Sequence, residues 1–219
     1  MTPPTPPPAP RMRRATPADA ADLRRVCLRT GAAGRDATAL HADPDVLGEV
    51  WAQPYLHGPG CLALVVADEL GVAGYCVAAA DTAAFEDWLE NQWWPALRAR
   101  HPRGSGTTPA DAAVVERIHA GPRTDPALLA THPAHLHVDL LPRLQGGGWG
   151  RRLVKAVLDE LAADGVAGLH LGVDPRNPGA IAFYRRLGLQ PLGGDEGVTL
   201  LGTTLPRPTG STGSTGTTT

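Results

Sequence analysis

Cysteine is scarce: Cys27, Cys61 and Cys76 are the only three in 219 residues. Each sits inside an apolar run (Arg-Val-Cys-Leu, Gly-Cys-Leu-Ala-Leu and Gly-Tyr-Cys-Val), and no activating His or Lys lies beside any of them. An odd count in such settings argues against a disulfide framework and for small buried hydrophobes in a reducing compartment. Long apolar runs are missing as well. No basic segment followed by an apolar one opens the chain, and no stretch is long enough to span a bilayer. The expected location is the cytoplasm, with no membrane partner. Lysine is nearly absent, Lys155 standing alone among arginines, and the formal net charge is −2. That balance gives no general pull toward nucleic acid or an anionic surface. Large apolar residues are lacking at both ends: 1–10 is rich in Pro, Thr and Ala, and 206–219 in Pro, Thr, Gly and Ser. Neither segment can offset its ordering entropy by burial, so both are expected to be disordered. Residues 11–205 remain as one domain of ordinary size.

Within that span the pattern alternates. Met12 to Ala15 reads as a short strand. Thr16-Pro17 with Asp19 starts a helix that buries Leu23, Val26, Cys27 and Thr30 and ends at Gly31. A second short helix follows Asp43-Pro44, with Val46, Leu47, Val50 and Trp51 on one stripe. Leu62–Ala67 and Val72–Ala78, separated by Asp68-Glu69-Leu70-Gly71, give a hairpin signal. Residues 81–133 then break the strand pattern with three helical candidates: Phe85, Trp88, Leu89 and Trp93 before Pro95; Val114, Val115 and Ile118 after Thr108-Pro109; and a short one around 125–131. A strand from His135 to Leu140 resumes, with Leu136, Val138 and Leu140 on one face and His135, His137 and Asp139 on the other. A helix bearing Leu153, Val154, Val157, Leu158 and Leu161 leads to a strand at Leu169–Val173. Asn177-Pro178 then caps a helix with Ile181, Tyr184 and Leu187, and short strands near 189–192 and 198–203 close the domain. Strand–helix–strand order implies a right-handed crossover and at least one parallel pair, hence an α/β mixed sheet.

One segment carries chemistry. Gln145 to Gly150 contains four glycines and lies between a strand and the first turn of a helix. Glycine permits close backbone approach and positive φ, while a helix start offers unpaired N–H groups at a positive dipole end. The combination suits a phosphate or pyrophosphate, with Arg151 and Arg152 adding charge. The bland alternative is a flexible turn. The spacing fits neither the dinucleotide fingerprint nor a nucleotide P-loop, since no Gly-Lys-Ser/Thr follows.

Gln145-x-x-Gly148-x-Gly150 between strand and helix resembles the acetyl-CoA pyrophosphate motif of the GNAT acetyltransferase superfamily. Asn177-Pro-Gly-Ala-Ile-Ala-Phe-Tyr184-Arg-Arg-Leu-Gly188 is similar to that superfamily's second signature. Together these motifs span about a third of the chain, from His135 to Leu192. His135-Leu-His-Val-Asp139-Leu-Leu-Pro, after a long helical insertion, resembles the acetyltransferase-like domain of O-GlcNAcase and its stand-alone bacterial relatives. The eukaryotic domains of that group have a degraded phosphate loop; every motif glycine is kept here.

The resemblance implies a GNAT-like fold: a central twisted mixed sheet with helices on both faces and the insertion, 81–133, before the acetyl-CoA-binding strand. It implies acetyl-CoA as co-substrate, no metal, and direct transfer of acetyl to an amine, on a small molecule or a protein lysine. Gln145, Gly146, Gly147, Gly148, Trp149, Gly150 and Arg151 would hold the pyrophosphate. Val138 and Leu140 would pair with the pantetheine arm through their backbone. Asn177 would contact the cofactor, Tyr184 would protonate the leaving thiolate, and Asp139 would be the base. Competing readings stand beside these. Asn177 before Pro is an ordinary helix cap. Tyr184 could be core, and Asp139 a structural carboxylate paired with an arginine. His135, His137 and Asp139 have the spacing of a metal trio, although the implied chemistry needs none. The insertion is expected to lid the acceptor entrance. A GNAT fold that binds acyl-CoA or serves as a scaffold without turnover is the other function to weigh, and a homodimer is allowed.

Overall fold

The computed structural model describes residues 9–121 and 123–206. The ends expected to be disordered, 1–10 and 206–219, lie outside the described residues apart from Ala9, Pro10 and Pro206. Strand β1 (Arg11–Arg14) starts one residue earlier than its apolar content suggests. Thr16 and Asp19 follow as a capping pair, the Thr16 N–H donating to Asp19 Oδ2 at 2.8 Å. The Arg13 guanidinium grips the same carboxylate at 2.7 and 2.8 Å, which draws Asp19 down to about 2. One 3-10 turn leads into α1 (Ala20–Leu28), which buries Leu23, Val26, Cys27 and Leu28, and α2 (Val46–Trp51) packs against it. The hairpin strands are β2 (Cys61–Asp68) and β3 (Gly71–Ala79).

Between β3 and the next strand lie α3 (Thr82–Trp88), α4 (Trp94–Arg100), α5 (Pro109–Ala120) and α6 (Pro126–Leu129). Asp81 and Thr108 accept N–H groups at the starts of α3 and α5, and Gly121 closes α5 in the left-handed region. Pro95 does not end the first helical run as its position suggests. A π turn, Leu89–Trp93, sends the Trp94 N–H to the Leu89 carbonyl and leaves Pro95 in the first turn of α4. No N–H is required there, so proline is tolerated.

Strand β4 (Ala134–Leu140) follows, then α7 (Trp149–Ala163), β5 (Gly168–Val173), α8 (Pro178–Arg186), β6 (Gln190–Gly194) and β7 (Thr199–Thr204). They form a mixed seven-stranded sheet in the order β1-β2-β3-β4-β5-β7-β6. All neighbours are antiparallel except β4 and β5, which the α7 crossover makes parallel. Side chains alternate along β4. Asp139 faces Tyr75, which packs toward Cys27 of α1, while Leu140 reaches Gly150 of α7. The two helices therefore cover opposite faces. Phe85, Leu97, Val114 and Ile118 of the helices between β3 and β4 share one buried apolar cluster with Leu136, Leu153, Leu169 and Leu201. Burying a side chain of this kind contributes about 1.5–3 kcal/mol. One feature of the sheet positions the site. β4 and β5 pair only at Ala134↔Leu169 and His135↔His170, and then part.

Candidate active site

β4 is the spine of the site. The Leu141 N–H donates to the Ala73 carbonyl at 2.8 Å. In an antiparallel pair such bonds fall on alternate residues. Residues 135, 137 and 139 therefore bond toward β3, and Leu136, Val138 and Leu140 turn their N–H and C=O toward β5. Beyond the His135↔His170 pair, whose ladder takes up the Leu136 N–H, β5 departs, so a strand edge with unfilled polar groups opens on the gap. The Leu140 carbonyl takes the Gln145 side-chain amide at 2.8 Å, and among the described residues Val138 has no ladder partner on its β5 side.

Past β4 the chain turns through the glycines. Gly146 (φ 76°) and Gly148 (φ 77°) lie in the left-handed region, with nothing within 4 Å of where a Cβ would stand. Gly150 is the opposite case: a Cβ there would lie 3.2 Å from both Leu140 Cδ1 and Phe183 Cζ. Gly148 is the N-cap of α7, with no side chain capping it. Arg152 is the first residue whose N–H returns to the helix, to the Gly148 carbonyl at 3.1 Å. The N–H groups of Trp149, Gly150 and Arg151 have no acceptor among the described residues. They face open space at the positive end of a 15-residue helix, which is an anion cradle.

α8 supplies the opposite wall. Asn177 is the helix cap, its Oδ1 accepting the Ala180 N–H at 3.0 Å. Its Nδ2 faces Gly34, 2.9 Å from where a Cβ would be. Gly34 belongs to a tight turn in which Ala32 and Arg35 exchange two backbone hydrogen bonds, with Ala33 held at φ 53°. A turn of alanines and glycines carries no chemical signal, so nothing along the chain places it here. Tyr184 is 7% exposed, and its hydroxyl has no hydrogen-bond partner among the described residues. Burial, with Cys76 and Asp139 adding to it, pushes the phenol well up, so it stays protonated.

Val138, Asp139, Leu140, Gln145, Gly146, Gly148, Trp149, Gly150, Arg151, Asn177 and Tyr184 thus line one cleft of about 570 Å³. Gly147 is the exception among the predicted loop residues. With positive φ on both sides of it, its Cβ position falls beside the Trp149 ring, 3.5 Å from Cδ1, and it does not line the cleft. Arg152 lies over that same ring, 4.6 Å from its centroid. The loop, the cap and the free edge fit a long ligand with a pyrophosphate at one end and an amide-bearing arm at the other.

The polar residues on the other face of β4 part company. Asp139 accepts the Tyr75 hydroxyl at 2.5 Å and not an arginine. Burial pushes its carboxyl up against the opposing effect of that hydrogen bond. His135 is fully committed. Thr82 donates its hydroxyl to the Pro133 carbonyl, so it takes a proton from His135 Nδ1 at 2.7 Å, and Tyr55 donates to Nε2 at 2.6 Å. His137 has no hydrogen-bond partner among the described residues. The trio therefore does not converge on one point. His137 instead lines a second cavity of about 470 Å³ beneath α3, α5 and α6, bounded by His135, Leu136 and His137 of β4 and Leu171 and Gly172 of β5. Trp94 is buried and lines this cavity, whereas Trp93 donates to the Glu49 carbonyl at 2.9 Å and stacks on His57.

Comparison with known proteins agrees with this architecture. The model of the acetyltransferase (GNAT) family matches residues 40–189, and the chain belongs to that family. The crystal structure of SsHAT is similar at 36% identity and a TM-score of 0.80, covering 90% of this chain and 98% of that one. A segment of rat O-GlcNAcase (Rattus norvegicus) is 23% identical over 196 residues, 86% of this chain and 21% of the rat protein. The chain thus spans about a fifth of the length of the curated relatives it matches. The structure of yncA from Salmonella typhimurium, described with its cofactor acetyl-CoA, shares the fold at a TM-score of 0.53 and 18% identity, covering 93% of this chain and 98% of that one. No helix among the described residues is long and apolar enough to cross a membrane.

Proposed function

We propose that the protein is an N-acetyltransferase that binds acetyl-CoA in the 570 Å³ cleft and passes the acetyl group directly to an amine in a ternary complex. The observation that carries this reading is the meeting, in one cleft, of three features: an uncapped helix start, the free edge of β4 and a partnerless tyrosine hydroxyl. The N–H groups of Trp149, Gly150 and Arg151 would hold the pyrophosphate, and Arg151 would add charge. The Val138 backbone would pair with the amide-bearing arm and donate to the thioester oxygen as negative charge develops there. Asp139, its carboxyl raised by burial, would take a proton from the acceptor's ammonium, directly or through water, and so free the neutral amine to attack. The amine nitrogen then bonds to the acetyl carbon as the carbon–sulfur bond breaks; Tyr184 would give its proton to the departing sulfur and regain one as the nitrogen sheds its second proton. No covalent intermediate with the protein is required. The segment 81–133 would roof the acceptor's approach, because the cavity beneath it opens on the same β4–β5 gap from the other side.

Calorimetry with acetyl-CoA, followed by thiol release in the presence of primary amines, tests this reading. Binding and turnover are expected in wild type. Tyr184→Phe should lower turnover by about 10²-fold with acetyl-CoA affinity unchanged. Absence of binding at millimolar acetyl-CoA would overturn the proposal. Tight binding without turnover of any amine would make the protein an acyl-CoA-binding or scaffold module instead.

A further inference from the structure

Three charged side chains line the cavity beneath the insertion, Arg117, Glu86 and Asp125, and Arg117 and Glu86 sit there without an ion pair to any described residue. Arg117 lies with its guanidinium carbon 5.4 Å from the centroid of the Trp51 ring and makes no ion pair or hydrogen bond among the described residues. It is the one arginine or lysine among the described residues lining the cavity. Glu86 also lines it. The Thr124 N–H and hydroxyl hold its carboxylate at 2.7–3.1 Å, and no cationic side chain of the described residues lies within 4 Å. A carboxylate fixed by neutral donors keeps its charge available to a ligand. A guanidinium on an aromatic face is preorganised for a planar anion.

Aromatic and imidazole groups fill the space around these two charges. Tyr55 and Phe85 stack at 4.6 Å, and Tyr55 meets His137 edge-on at 5.7 Å. His135 has both nitrogens occupied, and His170 gives Nδ1 to the His132 carbonyl. His137 is uncommitted. Burial, with Arg117 and His170 adding to it, holds it down at about 4, so a neutral imidazole faces the cavity and can accept an N–H.

We propose that the acceptor is a small zwitterion, a primary amine bearing a carboxylate as in a free amino acid, with Arg117 receiving the carboxylate and Glu86 drawing in the ammonium. The inference rests on the acetyltransferase reading above and adds the chemical class of its acceptor. Charge complementarity selects this class. A polyamine would set a second cation against Arg117, and an acidic peptide would set its carboxylates against Glu86 and Asp125. A purely apolar amine would cover the exposed Arg117 and the half-buried Glu86 without giving either a partner, at a desolvation cost. A cavity of about 470 Å³ lies within the range of small-molecule sites. His137 and Leu136 place it against the parting of β4 and β5, so an amine carried inward would approach the edge on which Val138 lies.

The test uses the full chain, saturating acetyl-CoA, and three sets of amines: free amino acids, their methyl esters, and spermidine. With wild type, kcat/KM for the acids should exceed that for the esters by about 10- to 100-fold, the effect of one charge-assisted pair. Arg117→Gln should erase the difference by lowering the acids and sparing the esters, with acetyl-CoA affinity unchanged. Arg117→Lys should recover part of the preference, and it serves if Arg117→Gln proves unstable. Esters or spermidine favoured over acids, or an Arg117→Gln loss equal for acid and ester, would overturn the proposal. If no amine is acetylated, the melting temperature of the CoA-loaded protein provides the readout. No stabilisation by any amino acid over its ester would then sink the idea. Acetyl-CoA that fails to bind at all takes down the acetyltransferase reading first, and calorimetry distinguishes that result.

Discussion

The two hollows that meet at β4 are made from different material. The cleft is mainly backbone: three helix N–H groups, a strand edge without a partner, and glycines whose missing Cβ atoms keep the space open. Tyr184, Asp139 and Asn177, among the side chains that line it, sit on elements that the sheet and the α7 crossover bring close. The cavity is made of side chains from α2, α3, α5, β4 and β5, segments far apart in the chain. A backbone site recognises what all its ligands share, which on the proposed reading is a diphosphate and amides. A side-chain site can recognise what differs among acceptors. The division lets one fold keep its co-substrate while its acceptor changes.

The largest expected effect breaks the backbone half alone. Gly148→Asp places a side chain, at φ 77°, in the open space that the proposed pyrophosphate would fill, and sets a carboxylate beside it. Like-charge juxtaposition of this kind costs several kcal/mol, so acetyl-CoA affinity should fall by about 10³-fold or beyond detection in calorimetry. The packing of the cavity should change little, while the left-handed φ costs the free protein about 1–2 kcal/mol and lowers its melting temperature by a few degrees. Unaltered affinity would place the pyrophosphate elsewhere.

Asp139→Asn sharpens the comparison, because Asp139 lines the cleft while facing the same side of the sheet as His137. Turnover should fall by about 10²-fold if Asp139 is the base. Stability should move the other way. Burial raises the carboxyl's pKa in the folded protein, so the folded state holds that proton more tightly than the unfolded one. Stability is therefore lost as pH climbs from the ordinary carboxylate range through the raised value, and the loss persists above it. Asparagine removes this penalty and still accepts from Tyr75. The variant should melt about 2–6 °C higher at neutral pH, with the gain vanishing as pH falls below the ordinary carboxylate range. Melting curves that track wild type at every pH would show that Asp139 is no burden to the fold.

The smallest effect belongs to the side-chain half. Tyr55→Phe removes the 2.6 Å bond to His135 Nε2 and leaves that buried nitrogen without a donor. Stability should drop by about 1–3 kcal/mol in denaturant unfolding, while acetyl-CoA affinity stays at the wild-type value. A loss of acetyl-CoA affinity in Tyr55→Phe would show that the two hollows are coupled across β4.

Local rules made much of the cleft readable in advance. Gln145 to Gly150 announces itself because the glycines, the turn and the helix start are consecutive, and backbone chemistry follows from backbone conformation. Asn177-Pro178 reads as a cap for the same reason, and Oδ1 does accept the Ala180 N–H. The strand at 134–140 and its two faces follow from a period of two. The mixed sheet follows from the order of elements. Where a local rule met an unforeseen local geometry it failed, as at Pro95, where the π turn let the helix continue.

Tertiary structure decided the rest. Nothing in the sequence around Ala33 and Gly34 says that their turn abuts Asn177, since 143 residues separate Gly34 from it. Nothing in the pattern His-x-His-x-Asp tells which member is spoken for. Tyr55, Thr82 and Tyr75, on β3 and on segments up to 80 residues away, commit His135 and Asp139 and leave His137 free. The parting of β4 from β5 after His135 is a property of the sheet and not of either strand's composition. Arg117 and Glu86 each look like the solvated charge of a helix. Only packing against Trp51 and Thr124 around a shared cavity gives them a place in a site. Sequence settles what depends on neighbours along the chain; hydrogen-bond commitments and unpaired charges depend on neighbours in space, and those the folded chain alone supplies.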